Sequence, residues 1–460
     1  MARIAPLSGF PELLPAQRIV EVQVLDTVRR IFELHGFAPL ETRAVEPLEQ
    51  MLRKGEIDKE VYVLRRLHAE SDEEASPRHQ LGLHYDLTVP FARYVLQHAG
   101  QLEFPFRRYQ IQKAWRGERP QEGRYREFTQ ADLDVVGRET LAFHHEVEVA
   151  LVMAEVFAAL PIPRATLRVN NRKLAEGFFL GLGATDSAAA LRAVDKLDKL
   201  PADAVADRLV EDAGLTRAAA AQCLQLAEIT SEDTSFAARV RELGVSHPLL
   251  DEGLDELVAV VGAAHASRPG AVVADLRIAR GLDYYTGTVY ETTLEGYESI
   301  GSICSGGRYD ALASDGRMSY PGVGMSLGVS RLLVPLLADG RISASRSVPS
   351  CVLVAVADEA HRADSDRVAD ALRARGISTE VAPSAAKFGK QIRHADRRGI
   401  PFVWFPDPTG GGSVKDIRSG EQVDADPATW TPPLHDLQPA VRVTETAPAA
   451  PSHAPEEPRS

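Results

Sequence analysis

The clearest pattern of polar and apolar positions in this 460-residue chain begins at Phe106. Side chains alternate there, with Arg108, Gln110 and Gln112 set against Tyr109 and Ile111. A two-residue period predicts a half-buried strand. A second strand-like run spans residues 128–136, and the polar segment between the runs contains Pro120 and Gly123, which favour a tight connection. The pattern therefore predicts an antiparallel hairpin.

Helical spacing is found in two other segments. Pro15 can begin a helix and Gly36 can end it. The apolar face between them consists of Val20, Val24, Val28, Ile31 and Phe32. Residues 39–45 then predict a strand. Residues 183–265 are rich in Ala, Leu, Asp and Arg, and their spacing predicts short amphipathic helices with no strand among them.

Strand and helix patterns alternate after a linker at 339–349. Strands are predicted at 351–357, 377–383 and 400–406, and helices at 364–376 and 388–399. This alternation indicates a small α/β domain with a mainly parallel sheet. The final segment, 436–460, is rich in Pro and Ala and lacks apolar periodicity, which predicts disorder.

Composition narrows the class of protein. Apolar residues make up 44% and charged residues 25%, as in ordinary globular proteins, and the net charge is −13. No apolar run approaches the roughly 20 residues that span a bilayer, and the N-terminus lacks a signal-peptide pattern. Cys223, Cys304 and Cys351 are too scattered to predict a zinc site or a disulfide framework. We expect a cytoplasmic protein without a membrane segment.

The predicted hairpin is nevertheless cationic. Its basic residues are Arg107, Arg108, Lys113, Arg116, Arg119, Arg124 and Arg126. A cationic hairpin on an acidic protein suggests a site for a polyanion. On charge alone, a solvated hairpin with a charged tip is at least as good an interpretation.

The order of residues in this hairpin changes the interpretation, because it resembles motif 2 of the class II aminoacyl-tRNA synthetases. The run GERPQEGRYREF at 117–128 is similar to the histidyl-tRNA synthetase version. The resemblance implies that Arg116 contacts the α-phosphate of ATP, Glu118 the adenine amino group and Phe128 the adenine ring. It directs Gln130 and Asp134 toward the amino-acid pocket. A guanidinium suits phosphate oxygens, and an aromatic face suits a purine.

The octet RGLDYYTG at 280–287 resembles the histidine-specific signature of the same family. By that resemblance Arg280 bridges the α-phosphate and the substrate carboxylate. Tyr284 and Tyr285 lie beside the imidazole. Outside such an octet, a Tyr pair in a strand is usually part of a core. The run SGGRYDALAS at 305–314 also matches the family, and its paired glycines allow a close backbone approach to a ligand.

Two further segments resemble motifs that flank the site in this family. The segment 321–337 resembles motif 3 and implies that Arg331 contacts the γ-phosphate, although Ser330 stands where the family usually has glutamate. The helix and strand at 15–45 resemble motif 1, which implies a homodimer, although Arg43 replaces a usual proline. From the residues alone, a structural helix packed on its own core is as good an interpretation.

The run HYDLT at 84–88 is similar to the branch of the family that includes eukaryotic enzymes. It implies that Asp86, helped by Thr88, holds the α-ammonium of histidine. In isolation Asp86 would more often be a turn or cap residue.

Contacts with tRNA are implied at two places. The domain after 349 resembles an anticodon-binding domain, where Lys387 and Lys390 could contact phosphates, with a solvated helix face as the alternative. At the motif 2 loop tip, Arg119 and Gln121 are implied to contact the tRNA acceptor end.

Together these resemblances imply an α+β protein with an antiparallel-sheet catalytic domain at 1–182 and 266–338. They add a helical insertion at 183–265 and an anticodon-binding α/β domain at 349–432. The implied activity is histidine–tRNA ligation with L-histidine, ATP and tRNA(His), with Mg²⁺ accompanying ATP and no metal site in the protein.

Two alternatives belong to other classes. A regulatory subunit of ATP phosphoribosyltransferase would be expected to lack the Arg280 signature and the C-terminal domain. A module that senses uncharged tRNA often loses the arginines that bind phosphate.

Overall fold

The computed structural model describes residues 5–51, 60–65, 67, 80–279, 285–314, 316–408 and 410–444. The chain forms two compact units, one of residues 1–11 and 26–335 and one of residues 12–25 and 336–460. No helix in these described ranges is long and apolar enough to span a membrane.

The first unit is built around an antiparallel-dominated sheet of nine strands, counted over the described residues, in the order β1-β5-β6-β12-β11-β10-β7-β9-β8. These strands are β1 Ala38–Pro39, β5 Phe106–Trp115, β6 Glu127–Val136, β7 Ala165–Asn171, β8 Thr230–Ser231, β9 Val272–Asp275, β10 Thr288–Leu294, β11 Cys304–Ser314 and β12 Ser319–Gly328. A small sheet in the order β2-β4-β3 consists of β2 Val45–Pro47, β3 Val63–Leu64 and β4 Leu81–Leu83.

The α-helices described up to residue 338 are α1 Pro15–Leu34, α2 Leu48–Met51, α3 Thr88–His98, α4 His144–Ala159, α5 Arg172–Gly181, α6 Ser187–Val194, α7 Ala202–Glu211, α8 Arg217–Ala227, α9 Phe236–Glu242, α10 Pro248–Ser267 and α11 Val329–Ala338. The helix predicted from Pro15 is confirmed, and its predicted apolar face is buried throughout. Several of the other helices begin with a side-chain cap. For example, the Asp186 carboxylate accepts a hydrogen bond from the Ala189 N–H at the start of α6.

Two predictions in this unit are wrong in detail. Residues 39–45 form a strand only at their ends, because the Thr42 side chain and carbonyl bond Gln110 and Gln112 of β5 rather than continuing a ladder. The segment 183–265 is helical as predicted but also contains β8, which pairs with β9.

The helix α10 packs tightly on α5, and glycines make this possible. A Cβ on Gly253 would lie 2.2 Å from the Leu174 nitrogen, and one on Gly177 would lie 2.2 Å from the Leu250 nitrogen. Only glycine allows the two helix backbones to approach so closely. The last helix of the predicted insertion is therefore packed against an element that precedes it.

The second unit contains a sheet in the order β15-β14-β16-β17-β18. Its elements are β13 Ile342–Ala344, β14 Val352–Val354, α12 Arg362–Ala374, β15 Thr379–Val381, α13 Phe388–Arg398, β16 Phe402–Pro406, β17 Gly412–Asp416, β18 Gln422–Asp424, α14 Leu434–Leu437 and β19 Val441–Val443. The predicted strands and helices are all present. β14 pairs in parallel with β15 and β16, whereas β17 and β18 add an antiparallel edge that the sequence did not predict.

The predicted disorder from 436 is wrong for the residues up to 444. β19 pairs with β13, and the Arg418 guanidinium contacts both oxygens of the buried Asp436 carboxylate at 2.8 Å. Residues 445–460 of that prediction lie outside the described residues.

Candidate active site

Three neighbouring strands place a polar layer on one face of the large sheet. In β6, the residues Gln130, Asp132 and Asp134 share a face because the side-chain period of a strand is two. Their register partners on β5 are Gln112, Gln110 and Arg108, and those on β12 are Gly328, Ser326 and Gly324. The small residues of β12 leave space in front of the longer side chains of β6.

Asp134 is fixed from three sides. The Arg108 Nη2 lies 2.7 Å from its Oδ2, and the Tyr309 hydroxyl donates to its Oδ1 at 2.8 Å. A Cβ on Gly324 would lie 2.0 Å from the same Oδ1, so glycine is required opposite this carboxylate. Arg108 itself is fully buried, with its guanidinium 4.1 Å from the Phe91 ring centroid.

This burial corrects the expectation of a half-buried strand with an exposed polar face. Arg108 and Gln110 are both 0% exposed, and each has a partner from another segment, which is Asp134 on the neighbouring strand for Arg108 and Thr42 for Gln110. Several of the other hairpin cations are also paired with carboxylates, which are Glu148 for Arg107, Glu127 for Lys113 and Glu118 for Arg116 and Arg124. The hairpin therefore carries far less free positive charge than its sequence indicates.

The carboxylate of Asp132 has a strongly raised pKa. Burial raises its pKa to about 7, the nearby Asp134 acts in the same direction and Arg108 opposes both. Its Oδ1 accepts a hydrogen bond from the Ser326 hydroxyl at 2.5 Å. The same hydroxyl oxygen accepts from the Gln130 Nε2 at 2.6 Å, so the three side chains form one chain of hydrogen bonds.

A cavity of about 300 Å³ lies in front of this layer. The predicted site residues that line it are Asp86, Thr88, Arg116, Glu118, Phe128, Gln130, Tyr285 and Arg331. A second cavity of about 20 Å³ is lined by Asp132, Asp134 and Tyr309 and shares Thr88, Tyr285 and Ser326 with the first. Residues separated by more than 200 positions in sequence thus converge on one concave surface.

The base of the hairpin loop holds Arg116 in a fixed position. Its Nε donates to the Tyr85 carbonyl at 3.0 Å, and its guanidinium carbon lies 5.1 Å from the Phe128 ring centroid. Glu118 lies between Arg116 and Arg124, at 3.7 and 3.6 Å. The arrangement places a guanidinium, a carboxylate and an aromatic ring around one part of the cavity.

Arg331 connects the hairpin loop to the segment that leads into β11. Its Nε donates to the Gly123 carbonyl and its Nη1 to the Ser302 carbonyl, both at 2.8 Å. Gly123 has φ 71°, which favours glycine. The neighbouring Ser330, which departs from the family pattern, accepts a hydrogen bond from the buried Thr129 N–H at 2.8 Å.

Asp86 makes a capping contact and also lines the larger cavity. One carboxylate oxygen accepts from the Val89 N–H at 3.0 Å at the start of α3, which is a capping contact. The residue also lines the larger cavity together with Thr88. The adjacent Tyr85 is buried, and that burial raises the pKa of its phenol.

Residues 285–287 of the RGLDYYTG octet are among the described residues. Tyr285 lines both cavities, and burial raises the pKa of its hydroxyl. A Cβ on Gly307 would lie 2.7 Å from the Tyr285 ring, and one on Gly306 would lie 2.1 Å from the Gly324 oxygen. The paired glycines thus leave room for neighbouring groups of the protein itself, which are the Tyr285 ring and the Gly324 oxygen. Arg280 and Tyr284 lie outside the described residues.

The residues predicted to contact tRNA are exposed. Arg119 and Gln121 lie at the loop tip, where Gln121 forms an isolated bridge with Arg124. Lys387 and Lys390 lie at the start of α13, beside the half-exposed Phe388. Arg398, at the other end of that helix, pairs with Glu380 at 2.7 Å.

Asp132 and Ser326 are site residues that the sequence interpretation missed. The signal was present, because Gln130, Asp132 and Asp134 alternate on one strand face. Arg43, the departure in the motif 1 segment, pairs with Glu46 at 2.8 Å.

Comparisons with known proteins show the family of this chain. The family model for histidyl-tRNA synthetase matches residues 9–332, and the model for an anticodon-binding domain matches residues 350–426. A histidine–tRNA ligase from Cutibacterium acnes is 62% identical over 450 residues, which cover 96% of this chain and 99% of that protein. One from Micrococcus luteus is 60% identical over 454 residues, with coverage of 96% and 99%.

Solved structures give the same result. The crystal structure of histidyl-tRNA synthetase from Nostoc sp. PCC 7120 has a TM-score of 0.82 and 33% identity, and it covers 93% of this chain and 97% of that one. A Bacillus halodurans protein described as an ATP phosphoribosyltransferase regulatory subunit/histidyl-tRNA synthetase has a TM-score of 0.69 at 17% identity, which supports the fold alone. On the family match and the nearly full-length identities, the chain belongs to the histidyl-tRNA synthetase family.

Proposed function

We propose that this histidine–tRNA ligase activates histidine with ATP in the two connected cavities, using the residues that line them. The observation that carries the proposal is the convergence of Arg116 and Arg331 with Asp86, Thr88 and Gln130 on one surface. The two arginines suit phosphate, and the other three residues suit an amino acid.

Histidine would lie along the polar layer. Asp86, Thr88 and the Gln130 side-chain oxygen would accept hydrogen bonds from the α-ammonium group. Asp134 would accept from the imidazole N–H, because Arg108 and Tyr309 hold its carboxylate in place. Tyr285 and, by resemblance, Tyr284 would flank the ring and offer hydroxyl groups to it.

ATP would lie against the base of the hairpin loop. Phe128 would stack on the adenine and Glu118 would accept from its amino group. The histidine carboxylate would attack the α-phosphorus, forming histidyl-adenylate and releasing pyrophosphate. Arg116, Arg331 and, by resemblance, Arg280 would stabilise charge on the phosphates, and positioning would supply the rest of the catalysis.

In the second step a hydroxyl of the tRNA 3′-terminal ribose would attack the carbonyl carbon of the adenylate, and AMP would leave. Mg²⁺ would arrive with ATP as part of the substrate. The described residues contain no group of three or more His, Cys, Asp or Glu side chains that could hold a metal ion.

The tRNA would be held at two places. Arg119 and Gln121 at the exposed loop tip would contact the acceptor end, since arginine and glutamine suit base edges and phosphates. Lys387 and Lys390 would contact the phosphates of the anticodon arm.

The domain limits we propose are 1–182 and 266–338 for the catalytic domain, 183–265 for the insertion and 349–432 for the anticodon-binding domain. The packing of α10 on α5 favours moving the insertion limit to about 247.

We also propose a homodimer in the cytoplasm. The helix α1 resembles motif 1, and its Val22 and Leu34 are exposed at 40% and 70%. The three cysteines are free and buried, which agrees with a reducing compartment. Sedimentation at several concentrations tests the dimer.

The function is tested by histidine-dependent exchange of pyrophosphate into ATP. Arg116→Ala and Arg280→Ala should each lower the exchange rate by about 10²–10³-fold, as when a charge aimed at a transition state is removed. Arg119→Ala combined with Gln121→Ala is the matched control. It should leave exchange unchanged and slow tRNA charging. Normal exchange in Arg280→Ala would contradict the assignment of that residue, and no exchange in the wild type would favour a regulatory or tRNA-sensing role.

A further inference from the structure

The proposed site leaves one question open, which is how the side-chain amide of Gln130 is oriented. An amide presents an acceptor oxygen at one end and a donor nitrogen at the other. Only the oxygen can accept from an α-ammonium group. Gln130 is 8% exposed, and within the described residues its Oε1 is buried without a hydrogen-bond partner, whereas its Nε2 donates to Ser326.

Ser326 bonds both Asp132 and Gln130. Its bond to Asp132 determines whether it pairs with the nitrogen or the oxygen of the Gln130 amide. Ser326 lies opposite Asp132 in the register of β12 and β6. Its single hydroxyl proton is donated to the Asp132 carboxylate, so its oxygen can only accept from Gln130. A carboxylate is an acceptor only, and it therefore fixes the direction of the whole chain of hydrogen bonds.

We propose that Asp132 and Ser326 are positioning residues that orient the Gln130 amide, so that its oxygen faces the α-ammonium of histidine only while Asp132 is ionised. This proposal rests on the assignment of Gln130 to the ammonium group under the proposed function. Protonated Asp132 would instead donate its O–H to the Ser326 oxygen. Ser326 would then donate to the Gln130 Oε1, and the amide would turn its N–H groups toward the ammonium.

The surroundings of Asp132 allow this change near neutral pH. Arg108 on β5 favours the ionised form, whereas Asp134 on β6, Asp86 before α3 and burial itself oppose it. Tyr285 and Cys304 face it with neutral groups whose own pKa values burial keeps high. The balance puts the pKa of Asp132 at about 7.

The test compares two ligands in the full-length protein by calorimetry between pH 6 and pH 8. One is L-histidine, and the other is 3-(imidazol-4-yl)propionate, which has the ring and the carboxylate but no ammonium group. The readout is the Kd of the propionate divided by the Kd of histidine. This ratio isolates the contribution of the ammonium contact.

In the wild type the ratio should rise about tenfold between pH 6 and pH 8, because the fraction of ionised Asp132 rises by that factor for a pKa of about 7. In Ser326→Ala this rise should be lost and only the slope caused by the ring titrations of the two ligands should remain, with the Kd of the propionate unchanged from the wild type at each pH. In Asp132→Asn the ratio at pH 8 should be at least tenfold below that of the wild type. The ring titrations of the two ligands are common to all variants, so the residual slope in Ser326→Ala is subtracted.

Ser305→Ala is the matched control, because Ser305 lines both cavities and lies opposite Ser326 across β11 and β12. It should keep the wild-type slope. The same slope in wild type and Ser326→Ala would overturn the proposal, and so would an equal loss of both ligands in Asp132→Asn, which would place Asp132 on the imidazole. If the wild type bound neither ligand, the proposed histidine site would fail instead.

Discussion

The two sheets of this protein bury different kinds of side chain. In the C-terminal unit, Cys351 to Val356 are all apolar and 0% exposed. In the large sheet the buried positions include Arg108 and Gln110 at 0% and Asp132 at 2%, on the neighbouring strands β5 and β6. Apolar burial stabilises a fold directly, whereas a buried charge must be compensated by a partner.

The difference separates residues that stabilise the fold from residues that form the proposed site. The polar layer occupies the part of the large sheet that lines the cavities, and each of its charges depends on a neighbour. The apolar centre of the C-terminal sheet lines neither cavity. We expect the free energy lost by destabilising substitutions to depend on pH in the polar layer and to be independent of pH in the C-terminal sheet.

The largest effect is expected at Arg108. Arg108→Ala leaves the carboxylates of Asp134 and Asp132 buried without their cation, and breaking a buried pair in this way costs about 3–5 kcal/mol in the free energy of unfolding. The loss should shrink from pH 8 to pH 5, because protonation neutralises the carboxylates. Urea unfolding at both pH values measures it.

Arg107→Ala is the matched control one position along the same strand. Its ion pair with Glu148 is partly exposed, with side chains at 23% and 28%, so the loss should be about 0–1 kcal/mol. Equal losses in the two variants would remove the distinction between the polar layer and the protein surface.

Leu353→Ala should produce a loss of about 2–5 kcal/mol, because it opens a cavity in the apolar centre of the C-terminal sheet. The apolar side chains packed around Leu353 do not titrate, and the loss should therefore be the same at pH 5 and pH 8. Exchange of pyrophosphate below the unfolding transition should be retained. A loss that changes with pH would contradict the comparison between the sheets.

Asp132→Asn should stabilise the protein at pH 8. The pKa of Asp132 is raised from 3.8 to about 7, so its contribution to stability is fully present below pH 3.8 and is lost as pH rises through 7. Asparagine does not titrate. The gain should be on the order of 2 kcal/mol at pH 8, below the full value of the pKa shift because an amide is also costly to bury, and it should vanish near pH 4.

Thermal unfolding at the two pH values measures this gain. Together with weaker histidine binding, a gain would mean that the carboxylate is retained for function at a cost in stability. A loss of stability at pH 8 would mean that Asp132 is chiefly a partner of Arg108.

Apart from the Arg107 control, the smallest effect is expected at Ser330. Ser330→Ala removes the acceptor for the buried Thr129 N–H, and the cost should be about 1 kcal/mol. Ser330→Thr keeps the hydroxyl and is the control. Because both groups are neutral, the loss should not depend on pH, which would show that the pH dependence of the large sheet comes from its charges rather than from its polarity.

Local pattern was enough to locate most elements. The hairpin strands were predicted to within one or two residues, because alternation, Pro120 and Gly123 act over a few positions. The helix from Pro15 and the alternating elements of the C-terminal unit follow from the same kind of signal. The family was also recognisable, since its motifs are contiguous runs.

Long-range partners explain what the sequence missed. β19 forms because Ile342 to Ala344 pair with it, about a hundred positions away, and composition alone predicted disorder there. The strand at 39–45 is interrupted because Thr42 bonds side chains of β5. Neither contact leaves a local signal.

The sequence alone determined the elements, the family and the residue types of the site. The tertiary structure decided which polar residues are buried, and thus which are fixed. Arg108 and Gln110 have the pattern of an exposed face, but β6 and Thr42 provide them with partners. Asp132 became visible as a site residue only when β12 placed Ser326 opposite it, because the state of a buried charge depends on the groups around it and not on its neighbours in sequence.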